Sequence, residues 1–168
     1  LRRRGWDIRF LMLHEHEPGA WDFARALGSQ GVPLDAIPLG ADVDPAAFLR
    51  LCAYLGRKRP TILHTHLVHG DVYGQLAGTA TRVPVRVSTK HGFNEFREGR
   101  GFALADRSIA ALSHRHIAIS RGLARYLKET EGFAEETFEI VHYGIEPQPD
   151  ARPYEGDVPL VLCVGRLI

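Results

Sequence analysis

Short apolar runs alternate along this chain with longer stretches of helical periodicity, and this alternation restricts the fold more than any other feature of the sequence. Residues Ile8–His14 (IRFLMLH) are almost continuously apolar, which is typical of a strand buried on both faces. Further strands are predicted over residues 32–39, 61–64, 83–89, 116–119 and 138–143, and helices over residues 18–31, 44–59, 70–80, 102–112 and from 120 onward. Because helices of this length connect successive strands by crossovers, we predict a doubly wound α/β domain with a parallel sheet.

This domain is predicted to occupy residues 1–143. Residues 144–157 contain three prolines and no periodicity, so we interpret them as a linker. The apolar run Leu160–Val164 (LVLCV), within residues 158–168, predicts the first strand of a second domain. The chain starts at Leu1 rather than at Met, and we therefore expect the natural N-terminus to lie upstream.

Composition argues against two classes of protein. The 168 residues include 21 Lys and Arg against 20 Asp and Glu, so the net charge of +1 lacks the basic excess of a nucleic-acid-binding protein. No apolar run reaches the roughly 18 residues of a membrane span. Cys52 and Cys163 stand in separate apolar stretches and are interpreted as buried thiols, which fits a reducing compartment. We predict a cytoplasmic protein and leave open a peripheral contact at the inner face of the membrane.

Histidines gather where the predicted strands end. In a doubly wound parallel sheet, ligands bind at the carboxyl ends of the strands. Six of the nine histidines follow strands at this edge, namely His14, His16, His64, His66, His69 and His91. An imidazole can donate to or accept from a hydroxyl, and the helix that Ser120 opens can bind an anion. The edge is therefore a candidate site for polyols and anionic oxygens, although a single histidine is more often structural and Ser120 could serve only as a helix cap.

Six segments in a fixed order resemble the motifs of one enzyme family. Residues 59–66 (RPTILHTH) resemble "rPdivHtH", and residues 83–92 (VPVRVSTKHG) resemble "gvPvv.t.Hg". Residues 70–77 (GDVYGQLA) are similar to the family's next helix. Three further segments, at residues 116–127, 141–146 and 164–167, are similar in turn to "iavS…yL", "v.nGvd" and "vGRl". The resemblance begins at residues 1–8, which match "L..rGHeV". This family is that of the retaining glycosyltransferases of family 4. Each segment alone is weak, whereas their order and spacing are specific for the family and for no single activity within it.

The resemblance implies a GT-B fold, in which two Rossmann-like domains face each other across a cleft. The first domain would mainly bind the acceptor, and the second would mainly bind a nucleotide-sugar donor. His91 matches the family's "Hg" histidine, which implies a catalytic position beside the transferring sugar. Arg166 matches an arginine that contacts the donor diphosphate, a role suited to a guanidinium. The other implied site residues are Gly165 and Ser120 for the donor, and His64, His66, Gly92, Asn94 and Arg97 for the acceptor.

The implied partners are therefore a nucleotide-sugar donor and a sugar, lipid-linked or small-molecule acceptor, with no metal ion, cofactor or nucleic acid. Two parts of the family pattern would lie beyond the ends of the chain. The first strand and its Gly-rich loop would precede Leu1, and the paired glutamates and lysine of the second domain would follow Ile168. We expect the chain by itself to be inactive, and we expect the strands beside the absent central strand to lack a pairing partner.

Three other functions remain open from the sequence. His64, His66 and His69 resemble the H-x-H-x-D-H metal-ligand run of metallo-β-lactamase-like hydrolases, although Val68 stands where that run needs Asp. An epimerase or hydrolase of nucleotide sugars would share the two-domain fold, since fold does not determine the reaction. A non-catalytic domain that binds a sugar or a partner is the third alternative.

Overall fold

The computed structural model describes residues 4–14, 20–92 and 100–144. Within these ranges the strands are β1 Phe10–His14, β2 Leu34–Pro38, β3 Ile62–His66, β4 Val85–Lys90, β5 Arg115–Ala118 and β6 Phe138–Ile140. The helices are α1 Ala20–Ser29, α2 Pro45–Lys58, α3 Leu67–Ala80, α4 Arg100–Ala110 and α5 Arg121–Glu131. The predicted second-domain strand lies outside the described residues, as does the predicted linker after Gly144. The same holds for four predicted site residues, namely Asn94, Arg97, Gly165 and Arg166.

All strand pairs are parallel, as the alternation of strands and helices predicts. They form a two-stranded sheet, β1–β2, and a four-stranded sheet in the order β3–β4–β5–β6. The doubly wound α/β prediction is therefore confirmed, but the described strands form two sheets. Within the described residues β1 pairs only with β2, and β3 pairs only with β4.

One hydrophobic core connects the two sheets. Helix α2 contributes Ala47, Leu51 and Leu55, which pack together with Ile37 of β2 and with Tyr73 of α3. The helix begins where the sequence predicts, because the Asp44 carboxylate accepts a 2.9 Å hydrogen bond from the Ala47 amide and Pro45 follows at the first helical position. A second core lies beneath α5, where Ala118, Leu123, Ala124, Leu127 and Phe138 are buried together.

Helices α2, α3, α4 and α5 pack side by side in chain order, each against the next. Because successive side chains of a strand point to opposite faces, the neighbouring strands β3 and β4 divide their residues between two faces. Thr65 and Ser88, which are register partners, turn toward the helices and are buried. We call this the helix face. His64 and His66 turn to the opposite face, where both side chains are exposed.

Three element boundaries differ from the sequence prediction in ways that bear on the site. Strand β3 extends through His66, and α3 begins at Leu67 rather than at Gly70. Leu67 has φ of +64°, a left-handed conformation that turns the chain from strand to helix without a loop. Strand β6 ends at Ile140 rather than at Tyr143. The extension of β3 through His66 cannot be seen in the hydrophobicity of the sequence, because backbone pairing with β4 does not require apolar side chains.

Glycines allow α3 to approach β3 closely. A Cβ atom added at Gly74 would lie 2.4 Å from Thr65 Cγ2, and one at Gly78 would lie 2.7 Å from Leu63 Cδ2. The spacing of four residues places both glycines on one side of the helix. Packing against β3 thus explains Gly74 and Gly78. In the part of the chain that the structure describes, no helix is long and apolar enough to cross a membrane.

Candidate functional site

Three imidazoles and one phenol form a row at the carboxyl ends of β3 and β4. The ring centroids of His64 and His66 are 4.3 Å apart, and those of His66 and His91 are 5.0 Å apart. Tyr143, which follows β6, stacks on His91 with its ring centroid at 5.9 Å. We call His64, His66, His91 and Tyr143 the histidine row. It brings together three of the predicted site residues, and His91 lies 25 positions after His66 in the sequence.

Hydrogen bonds connect the members of the row. His66 Nδ1 lies 2.8 Å from His91 Nε2, and His91 Nδ1 is hydrogen-bonded to the Tyr143 hydroxyl. His64 Nε2 lies 2.7 Å from the Thr89 hydroxyl, the register partner of His66. A bond between two ring nitrogens needs one donor and one acceptor, so His66 and His91 cannot both be doubly protonated. Both nitrogens of His91 already have protein partners, and a ligand that binds the ring must displace one of them.

Protonation is disfavoured along the row. Burial lowers the pKa of His64, and the neighbouring charge of His91 lowers it further. Burial, followed by the charges of His64 and His91, lowers the pKa of His66 to about 4. Burial also lowers the pKa of His91, against an opposing effect of the Asp71 carboxylate. Each ring has a side open to solvent but protein packed behind it, and at neutral pH the row therefore offers uncharged donors and acceptors.

The low pKa of His66 predicts a specific pH dependence of stability. The unfolded state, with an ordinary histidine pKa near 6.5, takes up a proton that the folded state resists until about pH 4. Stability is therefore lost as the pH falls through this window. We expect the thermal midpoint to fall less steeply between pH 7 and pH 4 in His66→Asn than in the wild type, as measured by differential scanning calorimetry. Equal slopes would show that His66 titrates alike in the folded and unfolded states.

A buried ion network lies behind the row, on the helix face. Lys90 Nζ donates to Asp71 Oδ2 at 3.0 Å and to the two carboxylate oxygens of Asp106 at 2.9 and 3.0 Å. Asp71 also accepts from the Ser88 hydroxyl at 2.8 Å and from the Thr65 hydroxyl at 2.6 Å. The exposed fractions of Lys90, Asp71 and Asp106 are 3%, 2% and 4%. The network joins β3 and β4 to α3 and α4, and its Lys90 directly precedes His91 of the row.

The described members of the predicted edge of six histidines divide among separate contacts. His14 packs edge-on against Trp21, with ring centroids 5.1 Å apart. His69 is hydrogen-bonded to Asp42 at 3.2 Å and takes no part in the row. His16 lies outside the described residues. Among the described histidines of this edge, His64, His66 and His91 cluster, whereas His14 and His69 have other partners.

The three histidines of the metal-site alternative have separate hydrogen-bond partners. His64 bonds Thr89, His66 bonds His91, and His69 bonds Asp42, so the three rings do not converge. Across residues 4–14, 20–92 and 100–144, no group of three or more His, Cys, Asp or Glu side chains is placed to hold a metal ion.

Two further predicted site residues, Ser120 and Gly92, show local contacts only in the described part of the chain. The Ser120 hydroxyl accepts a 3.1 Å hydrogen bond from the Leu123 amide and so caps α5. The other amides of the first helical turn have no partner within the helix. Gly92 follows His91, and a Cβ atom there would meet nothing within 4 Å. Binding of a donor by Ser120 and of an acceptor by Gly92 remain predictions.

Sequence reasoning missed Tyr143 and the ion network. Tyr143 occurs in the exit segment after the last strand, 52 residues from its partner His91. A charged residue inside an otherwise strand-like run, as at Lys90, was the available signal for a buried charge, since an isolated buried charge needs partners. No sequence signal identified Asp71 and Asp106 as those partners.

The parallel strands alternating with helices form a Rossmann-like domain of the kind that forms half of a GT-B glycosyltransferase. The chain matches the glycosyl transferase 4-like domain over residues 1–144 and belongs to this family. No curated protein sequence matches the chain.

The fold is similar to that of a solved structure of Anabaena Alr3699/HepE in complex with UDP and glucose. The TM-score is 0.64 at 13% sequence identity, and the match covers 80% of this chain and 37% of that chain. The chain therefore spans little more than a third of the length of that protein, and the similarity concerns the fold.

Proposed function

We propose that the complete protein transfers a sugar from a nucleotide-sugar donor to an acceptor with retention of the anomeric configuration, and that this domain binds the acceptor and the transferring sugar. The observation that carries the proposal is the histidine row, at the carboxyl edge of a glycosyltransferase-family domain. Its rings lie where a doubly wound sheet binds ligands.

The chemistry of the row suits a sugar better than an anion. Neutral imidazoles and a phenol donate to and accept from hydroxyl groups, and burial keeps His64, His66 and His91 uncharged near pH 7. In the proposed complex the sugar hydroxyl replaces either His66 or Tyr143 as the partner of His91. The reaction would then depend on positioning of the sugar and on stabilisation of the departing diphosphate.

The donor diphosphate is assigned to other groups. The amides at the start of α5, after Ser120, can accept an anion. By the resemblance to family 4, Arg166 would supply a guanidinium to the diphosphate, and Gly165 would let the backbone approach it closely. We propose a cytoplasmic location, at the inner face of the membrane if the acceptor is lipid-linked.

The test is an acceptor-dependence assay on the complete protein. UDP-glucose is the first donor to try, because the structurally similar HepE was solved with UDP and glucose; other nucleotide sugars follow. Release of nucleoside diphosphate is measured with and without a panel of sugar and lipid-linked acceptors, and the anomeric configuration of any product is determined by NMR.

We expect diphosphate release that depends on an acceptor, with a product of retained configuration. Release at the same rate without an acceptor would identify a hydrolase, and a changed sugar without release would identify an epimerase. An intact fold that turns over no donor would support the non-catalytic alternative.

A further inference from the structure

We propose that Lys90 is a positioning residue for His91, and that it acts by tying the carboxyl end of β4 to α3 and α4 through Asp71 and Asp106. The proposal deepens the proposed function, and rests on it, only where turnover is concerned. The placement of the His91 ring is a property of the folded chain and can be measured without a substrate.

Side chains alternate between the two faces of the sheet along β4. Lys90 is the last residue of the strand and points to the helix face, whereas His91 follows it and joins His66 on the opposite face. The two residues share one peptide unit. Restraint of the Lys90 side chain therefore restrains the backbone from which the His91 side chain leaves.

The Lys90 side chain is held by two helices at once. The ammonium of Lys90 makes hydrogen bonds of 2.9–3.0 Å to oxygens on two different helices, one to Asp71 of α3 and two to Asp106 of α4. An apolar side chain at position 90 would fill the same space but could slide, because dispersion contacts have little directional preference. Hydrogen bonds to two helices fix the strand end relative to both.

The same network also reaches β3, the strand that carries His64 and His66. Asp71 accepts from Thr65, which lies between His64 and His66 on β3. Ser88, one strand over, donates to the same carboxylate. The strand ends that carry His66 and His91 are thus attached to one buried carboxylate, and the 2.8 Å contact between the two rings depends on their relative placement.

Stability alone gives little reason for a charge at position 90. Removing a lysine ammonium from water costs free energy, and well-packed apolar replacements of buried ion pairs are often equally or more stable. Placement of the strand end is what the charged network adds. The fold thus offers a way to separate positioning from stability.

Arg86 provides a matched control on the same strand. It lies four residues before Lys90 and also turns to the helix face, where its guanidinium donates to the carbonyls of Leu112 at 2.8 Å and Val83 at 2.9 Å. These contacts are at the amino end of β4, away from the row. Arg86→Met therefore removes a cation and its hydrogen bonds without releasing the strand end next to His91.

The experiment compares Lys90→Met with Arg86→Met in the complete protein. Histidine-selective ¹³C and ¹⁵N labelling gives the imidazole resonances by NMR, with His91 assigned from a His91→Gln variant. We expect the His91 resonances to shift or broaden in Lys90→Met and to stay in place in Arg86→Met. We also expect kcat to fall by about 10- to 100-fold in Lys90→Met with KM nearly unchanged, because small misplacement of a reacting group reduces the rate.

His91 resonances that stay in place in Lys90→Met, or that shift equally in both variants, would refute the positioning role. A triple variant, Lys90→Met with Asp71→Asn and Asp106→Asn, is read in the same way if the single variant does not fold, since it leaves no unpaired carboxylate of the network. If the wild type transfers no sugar, the proposed function fails while the NMR comparison still decides the role of Lys90.

Discussion

Replacing His91 with Ala is expected to reduce kcat/KM for sugar transfer by about 10²–10³-fold in the complete protein, the range found when one preorganised hydrogen-bond donor is removed from an active site. The imidazole is partly exposed at the sheet edge, and among the described residues it is hydrogen-bonded to His66 and Tyr143. Its removal therefore creates no core cavity and should cost no more than about 1 kcal/mol of the free energy of unfolding. Steady-state kinetics and thermal unfolding of the same preparations measure the two effects.

His69→Ala is the matched control. His69 belongs to the same edge of the sheet, but it bonds the exposed Asp42 and lies outside the row. Its replacement should leave transfer close to that of the wild type. A large loss of stability in His91→Ala with transfer retained would identify His91 as a structural histidine, and equal losses of transfer in both variants would remove the distinction between the row and the rest of the edge.

The strands and helices were predictable because their physical causes are local. Alternation of apolar runs with helical periodicity depends on neighbours a few residues away, as do the caps at Asp44 and Ser120, and each of these predictions is confirmed. The end of β3 was not predictable in this way. His64 and His66 remain in the strand because β4 continues beside them, and hydrophobicity carries no information about that pairing.

The contacts of the site join residues that are far apart in the sequence, and no local pattern predicts such contacts. His66 and His91 meet because the register of β3 and β4 sets Thr89 beside His66. His91 follows Thr89 by two residues and therefore lies on the same face of the sheet. The same register brings Lys90 over Asp71, and the packing of α4 then adds Asp106. The family resemblance identified the histidines individually, but their contacts and the charges behind them required the three-dimensional structure.

Replacing Gly74 with Ala is expected to destabilise the protein by about 1–3 kcal/mol, the usual cost of overpacking a well-packed interior. The added methyl would meet Thr65 Cγ2 at 2.4 Å. Thr65 cannot simply rotate away, because its hydroxyl donates to Asp71 at 2.6 Å and accepts from Gln75 at 2.7 Å. Either α3 moves away from β3, or the buried hydrogen bonds of Thr65 break.

Gly70→Ala in the same helix separates this packing effect from helix propensity. A Cβ atom at Gly70 would meet nothing within 4 Å, so the substitution should raise stability by up to about 1 kcal/mol, the difference in helix propensity between Ala and Gly. Thermal or urea unfolding of both variants measures the contrast. If Gly74→Ala were as stable as Gly70→Ala, α3 would not be held against β3 at Thr65. The close approach that lets Asp71 reach Ser88 and Lys90 would then not be a property of the folded protein in solution.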